Sequence, residues 1–150
     1  MTTLLIALAA LLVVGAAVGL PGRARAALRR DAAATTMAHD SLPRLTPAEL
    51  KAWLAQHPGA VVIDVRTPAE FAGGHLAGAV NLDVQASDFG TRAASLARDA
   101  AYVVYCRSGA RSERAGHQLL DLGFTPVVNG GGYEPLAREG FPTARGSQRR

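Results

Sequence analysis

Apolar runs alternate with helix-type patterns from residue 45 onwards. Four runs are predicted as strands, AVVID ending at residue 64, AGAVNL, AAYVVYC over residues 100–106, and FTPVVN. The third run is apolar throughout, which is typical of a strand buried on both faces. Because segments of helical pattern separate these runs, the chain predicts βαβ units and therefore an α/β fold with a parallel sheet.

Two copies of the tetrapeptide Thr-Pro-Ala-Glu, at residues 46–49 and 67–70, mark helix starts. Each provides a capping hydroxyl, a proline at the first helical position and an acid three residues after the cap. We expect the first helix to run to about His57 and the second through Phe71. A third helix is predicted from about residue 111 to 122, closed by a glycine, and Gly130–Gly132 leads into a last short helix.

The first 22 residues carry no charged side chain, and Leu4–Leu20 is an unbroken run of apolar residues and glycine. This segment is long enough, at about 1.5 Å per residue, to span a hydrocarbon core of about 30 Å. Residues 1–22 are therefore predicted as a transmembrane helix. Four arginines follow it within residues 23–30, and the positive-inside rule then places the remaining chain in the cytoplasm. The alternative is an export signal that is cleaved at Ala24-Arg25-Ala26. The domain would then lie in the periplasm.

The length of 150 residues allows one domain with appendages. We expect a basic juxtamembrane tether over residues 23–44, a folded domain over 45–142 and a basic tail over 143–150. Residues 1–45 contain five arginines and two aspartates, whereas residues 46–150 contain eleven basic and ten acidic residues. Three of the four net positive charges therefore lie in the flank, and the composition excludes a basic nucleic-acid-binding face on the domain.

Cys106 is the single cysteine of the chain, which excludes an internal disulfide and a thiolate zinc cluster. The four histidines lack metal-ligand spacing, so we expect no metal and no cofactor. Cys106 ends a predicted strand and opens the loop that runs to Arg111, directly before a helix. In parallel α/β sheets, ligands bind at this edge.

The loop from Cys106 to Arg111 is suited to holding an anion. Its backbone N–H groups and the positive end of the following helix favour negative charge, and Arg107 and Arg111 add positive charge. Such surroundings lower a thiol pKa from about 8.5 to between about 3.5 and 7.5. The alternative is a small buried cysteine with no chemistry. The combined pattern favours a nucleophilic thiolate.

Four ordered motifs give the chain a resemblance to single-domain rhodaneses over residues 45–142. They are VIDVRTPAEF from Val62, GHLAGAVNL from Gly74, the Cys106–Arg111 loop and NGGGY from Asn129. The resemblance implies a central parallel sheet flanked by helices and a sulfurtransferase without cofactor. Cys106 would accept a sulfane sulfur as a persulfide and pass it to a thiol or protein acceptor. The donor would be a small anion such as thiosulfate or a persulfide.

Physical arguments assign the other residues of the site, and the resemblance strengthens the assignment of Arg111. The substrate-binding residues would be those of the loop, Arg107, Ser108, Gly109, Ala110 and Arg111, and Arg111 is favoured over Arg107 for orienting the donor. Asp64 and Arg66 are expected to support the site structurally. Asp64 would accept loop N–H groups and Arg66 would pair with Glu70.

Two other functions remain open from the sequence. Cysteine phosphatases and arsenate reductases use Cys-x5-Arg, whereas this chain has Cys-x4-Arg with Ser112 at the longer spacing. The shorter loop predicts too small a cradle for a tetrahedral oxyanion. The second alternative is a membrane-tethered sulfur carrier or interaction module with little turnover on free substrates.

Overall fold

The computed structural model describes residues 41–146. The predicted transmembrane helix over residues 1–22, nearly all of the tether and the last four residues of the tail lie outside this part of the chain. Within residues 41–146, no helix combines the length and the apolar character that a bilayer crossing needs.

Six strands and five helices occur in this part of the chain. In chain order they are α1 (Pro47–Gln56), β1 (Val61–Asp64), α2 (Pro68–Gly73), β2 (His75–Leu76), β3 (Val80–Asn81), α3 (Phe89–Ala94), β4 (Tyr102–Cys106), α4 (Ala110–Asp121), β5 (Val127–Gly132), α5 (Tyr133–Arg138) and β6 (Thr143–Ala144). Both Thr-Pro-Ala-Glu motifs form complete capping boxes, at the starts of α1 and α2. The predicted helix starts are therefore confirmed.

The central sheet has four parallel strands in the order β3-β1-β4-β5. β4 is buried along its whole length between β1 and β5. The predicted α/β fold with a parallel sheet is confirmed. Because all four strands run the same way, the carboxyl ends of β1, β4 and β5 meet at one edge, where Asp64, Cys106 and Gly132 end their strands.

Alternate side chains of β4 belong to two separate hydrophobic cores. Tyr102, Val104 and Cys106 lie in the core that α3 and α4 cover, whereas Val103 and Tyr105 lie in the core under α1, α2 and α5. Helices thus cover both faces of the sheet, as the sequence predicts. Cys106 is the last residue of β4 and therefore sits where the first core meets the sheet edge.

Some elements were absent from the sequence prediction. The helix α3 and the two-stranded antiparallel ribbon of β2 and β6 are new, and β5 starts at Val127 and continues through the glycine triplet. Neighbours approach two glycines of the triplet closely, and the third, Gly131, has a φ of 80°. A Cβ at Gly130 would lie 3.1 Å from Leu50 and Val103, and a Cβ at Gly132 would lie 2.7 Å from the Arg107 carbonyl oxygen.

The segment from Leu42 to Leu45 lies beside β5. The Leu45 N–H donates to the Asn129 carbonyl at 2.9 Å, and the Asn129 N–H donates to the Pro43 carbonyl at 2.8 Å. Leu42 enters the core against Gly116 of α4, where a Cβ would lie 2.5 Å from the leucine Cδ2. Residues placed in the tether by the sequence therefore pack against the sheet.

The hydroxyl of Tyr105 connects β4 to the ribbon, since the Leu76 N–H donates to it at 3.0 Å in a buried setting. We expect Tyr105→Phe to lower the free energy of unfolding by about 1–3 kcal/mol, because the buried N–H loses its acceptor. Urea unfolding of the purified domain measures this difference.

Tyr102→Phe provides the matched control. Its hydroxyl donates to the carbonyl of Ala97, an exposed residue that water can reach once the hydroxyl is gone. We expect a smaller loss for this variant, and equal losses for the two variants would contradict the role of the Tyr105 hydroxyl.

Candidate active site

The sulfur of Cys106 lies inside the turn that joins β4 to α4. The Gly109 N–H donates to Sγ with a nitrogen to sulfur distance of 3.1 Å, and the Ser112 hydroxyl lies 3.6 Å from it. Cys106 itself is 0% exposed. The thiol is therefore enclosed by backbone and hydroxyl donors, although its residue belongs to an apolar core.

Burial and hydrogen bonding act in opposite directions on the pKa of Cys106. Burial raises it, because a charged thiolate loses hydration, while the backbone N–H groups of Ser112, Ser108 and Gly109 and the Ser112 hydroxyl lower it. The donors outweigh burial, so the pKa of Cys106 lies below its ordinary value. The arrangement favours a thiolate, which is the nucleophilic form of cysteine.

Ser112 and Asn129 hold the turn through side-chain hydrogen bonds, and both residues are fully buried. The Ser112 hydroxyl lies 2.8 Å from Asn129 Oδ1 and 2.9 Å from the Gly109 carbonyl oxygen. The Asn129 amide donates to that carbonyl and to Glu113 at 2.7 Å. Sequence reasoning missed both residues. Two signals could have identified them. Ser112 lies directly after the loop, and Asn129 opens the NGGGY motif.

Asp64 and Arg66 form a buried ion pair at the end of β1. Arg66 Nη2 lies 2.6 Å from Asp64 Oδ2, and the Arg66 N–H also donates to the same carboxylate. A further donation from Nη2 reaches the Gly74 carbonyl at 2.7 Å. The prediction that Arg66 pairs with Glu70 is wrong, because the guanidinium binds both carboxylate oxygens of Asp64, two residues earlier at the end of β1.

Glu70 pairs instead with Arg111. Both terminal nitrogens of Arg111 donate to the two carboxylate oxygens at 2.7 Å, in a geometry that is typical of strong ion pairs. Arg111 lowers the pKa of Glu70 to about 2; burial opposes this change, and the Thr67 cap adds to it. The charge of Arg111 is therefore already compensated within the protein.

A cleft of about 360 Å³ opens beside the loop. Its lining combines two arginines, two glutamates and an aromatic ring with small residues, namely Arg66, Glu70, Gly73, Gly74, Arg107, Tyr133 and Glu134. The Arg66 guanidinium lies 4.5 Å from the centre of the Tyr133 ring. A polar, charged cleft of this kind suits a small hydrophilic ligand.

The predicted residues of the loop lie in four different settings. Cys106, Ser108 and Gly109 meet at the sulfur, Arg107 is exposed and faces the cleft, and Arg111 contacts Glu70. Ala110 begins α4 with an exposed side chain. Over residues 41–146, no three His, Cys, Asp or Glu side chains are grouped as metal ligands.

The Glu70–Arg111 pair predicts a pH-dependent stability. Since the folded pKa of about 2 lies below the ordinary 4.5, the contribution is complete above pH 4.5 and is lost as the pH falls toward 2. We expect Glu70→Gln to lower the free energy of unfolding by about 1 kcal/mol at pH 7, a value reduced for solvent screening. Denaturant titrations over this pH range measure the unfolding free energies of the wild type and the variant, whose difference should shrink as the pH falls.

Glu49→Gln is the matched control, because Glu49 occupies the same position in the first Thr-Pro-Ala-Glu motif and forms no ion pair with any of residues 41–146. It removes a capping carboxylate and leaves Arg111 untouched. An equal destabilisation by both variants would show that capping alone, and not the ion pair, accounts for the effect.

Comparisons with known proteins agree with this geometry. The family model described as Rhodanese-like domain matches residues 46–139. The thiosulfate sulfurtransferase GlpE of Pseudomonas entomophila is 40% identical over 108 residues, which cover 69% of this chain and 94% of that protein. A sulfurtransferase of Allochromatium vinosum is 38% identical over 90 residues, covering 59% and 82%. The crystal structure of a rhodanese-related protein from Thermoplasma volcanium matches with a TM-score of 0.58 at 30% identity, covering 68% and 97%.

Proposed function

The chain belongs to the family of rhodanese-like domains, and from this membership we propose that Cys106 carries sulfane sulfur as a persulfide. The protein is a sulfurtransferase of the rhodanese type. The observation that carries the assignment of Cys106 is the 3.1 Å donation from the Gly109 N–H to its sulfur.

The proposed reaction has two displacement steps. The Cys106 thiolate attacks the outer sulfur of thiosulfate, a new S–S bond forms, and the sulfur–sulfur bond of thiosulfate breaks with its electron pair leaving on sulfite. A thiophilic acceptor, such as cyanide or a thiolate, then attacks the terminal sulfur and releases the Cys106 thiolate. No proton has to be removed from Cys106, which explains why a nearby base is unnecessary.

The turn supports the intermediate as well as the thiolate. A persulfide places its negative charge on the outer sulfur, and N–H groups already oriented toward Cys106 can stabilise that charge without reorganisation. Ser112 contributes a hydroxyl that can rotate toward either sulfur.

His75 takes no part in the proposed reaction. Its Nδ1 lies 2.8 Å from the Phe71 carbonyl oxygen, and its ring stacks on the Phe71 ring with centres 3.6 Å apart. These contacts connect α2 to β2, which is a structural role.

Intact-mass measurement tests the proposal directly. After thiosulfate treatment we expect an increase of about 32 Da, one sulfur atom, on the protein and none on Cys106→Ala. Thiosulfate:cyanide sulfur transfer should disappear in the same variant. Full activity of Cys106→Ala would exclude a persulfide on this residue, whereas a stable adduct with slow turnover would favour the sulfur-carrier function.

We also propose that residues 1–22 anchor the domain in a membrane with the domain on the cytoplasmic side. The support is the charge-free apolar segment followed by arginines. The same mass measurement, made on native protein from both the membrane and the soluble fractions of the cell, tests it. A chain that starts at Met1 supports the anchor, and one that starts at Ala27 overturns it in favour of export.

For donor binding we propose Arg107 as the main contact, in place of Arg111. Arg107 faces the cleft, whereas both terminal nitrogens of Arg111 are occupied by Glu70. We expect Arg107→Gln to raise the KM for thiosulfate about tenfold, with a much smaller effect on kcat, because it removes a charge that binds the donor in both ground and transition states. Steady-state kinetics measure both constants.

The double variant Glu70→Gln/Arg111→Gln is the control for this assignment. It removes the ion pair without leaving an unpaired carboxylate in the cleft, which Arg111→Gln alone would do. A small change in KM is expected. If the double variant raises the KM as much as Arg107→Gln does, Arg111 contacts the donor directly and the preference for Arg107 over Arg111 is wrong.

A further inference from the structure

Arg44 lies against the catalytic turn, although the sequence placed it in the tether. Its backbone is held beside β5 by the hydrogen bonds of Pro43 and Leu45 to Asn129. Leu42, two residues earlier, is anchored in the core. Contacts of the residues before and after Arg44 thus hold its backbone in place.

The guanidinium of Arg44 covers Gly109. Its Nη2 donates to the Ser108 carbonyl at 3.1 Å. A Cβ built on Gly109 would lie 2.6 Å from the same nitrogen, so a larger residue at 109 would displace the guanidinium from this position. Gly109 also has a φ of 105°, in the left-handed region that favours glycine. Gly109 thus combines a backbone conformation that favours glycine with a close approach of the Arg44 guanidinium.

The carbonyl of Ser108 and the N–H of Gly109 belong to one peptide group. Arg44 donates to the oxygen of that group, and the nitrogen donates to Cys106 Sγ at 3.1 Å. A positive charge on the oxygen side polarises the peptide and strengthens its N–H as a donor. We propose that Arg44 is a positioning residue that stabilises the anionic sulfur of Cys106 through the Ser108–Gly109 peptide, an inference that rests on the proposed function.

Other charged groups surround the turn and have to be weighed against Arg44. They come from each neighbouring element, namely Arg107 from the loop, Arg111 and Glu113 from α4, Glu70 from α2, the Asp64–Arg66 pair from β1 and Asp83 after β3. Two of these cations are compensated by carboxylates, Arg66 by Asp64 and Arg111 by Glu70. In residues 41–146 no carboxylate forms an ion pair with Arg44. Arg44 and Arg107 therefore provide the uncompensated positive charge at the turn.

The test measures the pKa of Cys106 in Arg44 variants. Because Cys106 is the only cysteine, the ultraviolet absorbance of its thiolate can be titrated with Cys106→Ala as the blank. We expect Arg44→Gln to raise the pKa by about half a pH unit or more, since the guanidinium is exposed and partly screened. Arg44→Lys keeps the charge and should restore most of the wild-type value.

Arg98→Gln is the matched charge control. Arg98 precedes β4, at the opposite end of the strand from Cys106, and contacts the Leu122 carbonyl and the Phe124 ring. The pKa of Cys106 should stay unchanged in this variant. Thermal melting of each variant, followed by circular dichroism, verifies that the domain is folded during the titration.

The outcomes separate this proposal from the proposed function. If Arg44→Gln leaves the pKa of Cys106 unchanged while the wild-type protein forms the persulfide, the role of Arg44 is overturned and sulfur transfer stands. Equal increases in Arg44→Gln and Arg44→Lys, or in Arg98→Gln, also overturn it. If only Arg44→Gln raises the pKa of Cys106 while the wild-type protein takes up no sulfur, the positioning role of Arg44 is supported and the proposed persulfide is wrong.

Discussion

The hydrogen bond from the Gly109 N–H to the Cys106 sulfur is the contact on which the site depends. A cysteine that ends a strand within an apolar core would by default be neutral, because burial penalises the thiolate. The turn between β4 and α4 reverses this preference by directing several donors at one atom. The same donors can then hold the outer sulfur of a persulfide, so one arrangement serves both the nucleophile and the intermediate.

The charged residues around the turn have different tasks. Asp64 with Arg66 and Glu70 with Arg111 form closed pairs that shape the sheet edge and fix α2 against α4. Such pairs add little net charge to the site. We therefore assign the attraction of an anionic donor to cations that face solvent, of which Arg107 lies in the cleft. In the proposed reaction, N–H groups of the turn stabilise the sulfur, one of them under the influence of Arg44, and the charge of Arg107 attracts the donor.

Much of the fold follows from local signals in the sequence. The two capping boxes, the apolar run of β4 and the glycine after α4 each determine a helix or strand through short-range chemistry, and the structure has all of them. The elements that were missed, β2, β6 and α3, are only two to six residues long. The two strands exist because distant segments pair with each other, which no local pattern can reveal.

The sequence by itself determined the parallel α/β architecture, the placement of Cys106 at a strand end and the glycine-containing turn that follows it. Backbone preference and hydrophobic period act between near neighbours, which makes these features readable along the chain. Only the tertiary structure decided that Glu70 pairs with Arg111, that Asn129 and Ser112 brace the turn, and that Arg44 covers Gly109. The hydrogen bonds that make these contacts join residues 17, 41 and 64 positions apart. Their partners are selected by strand order and helix packing, which bring them within hydrogen-bonding distance.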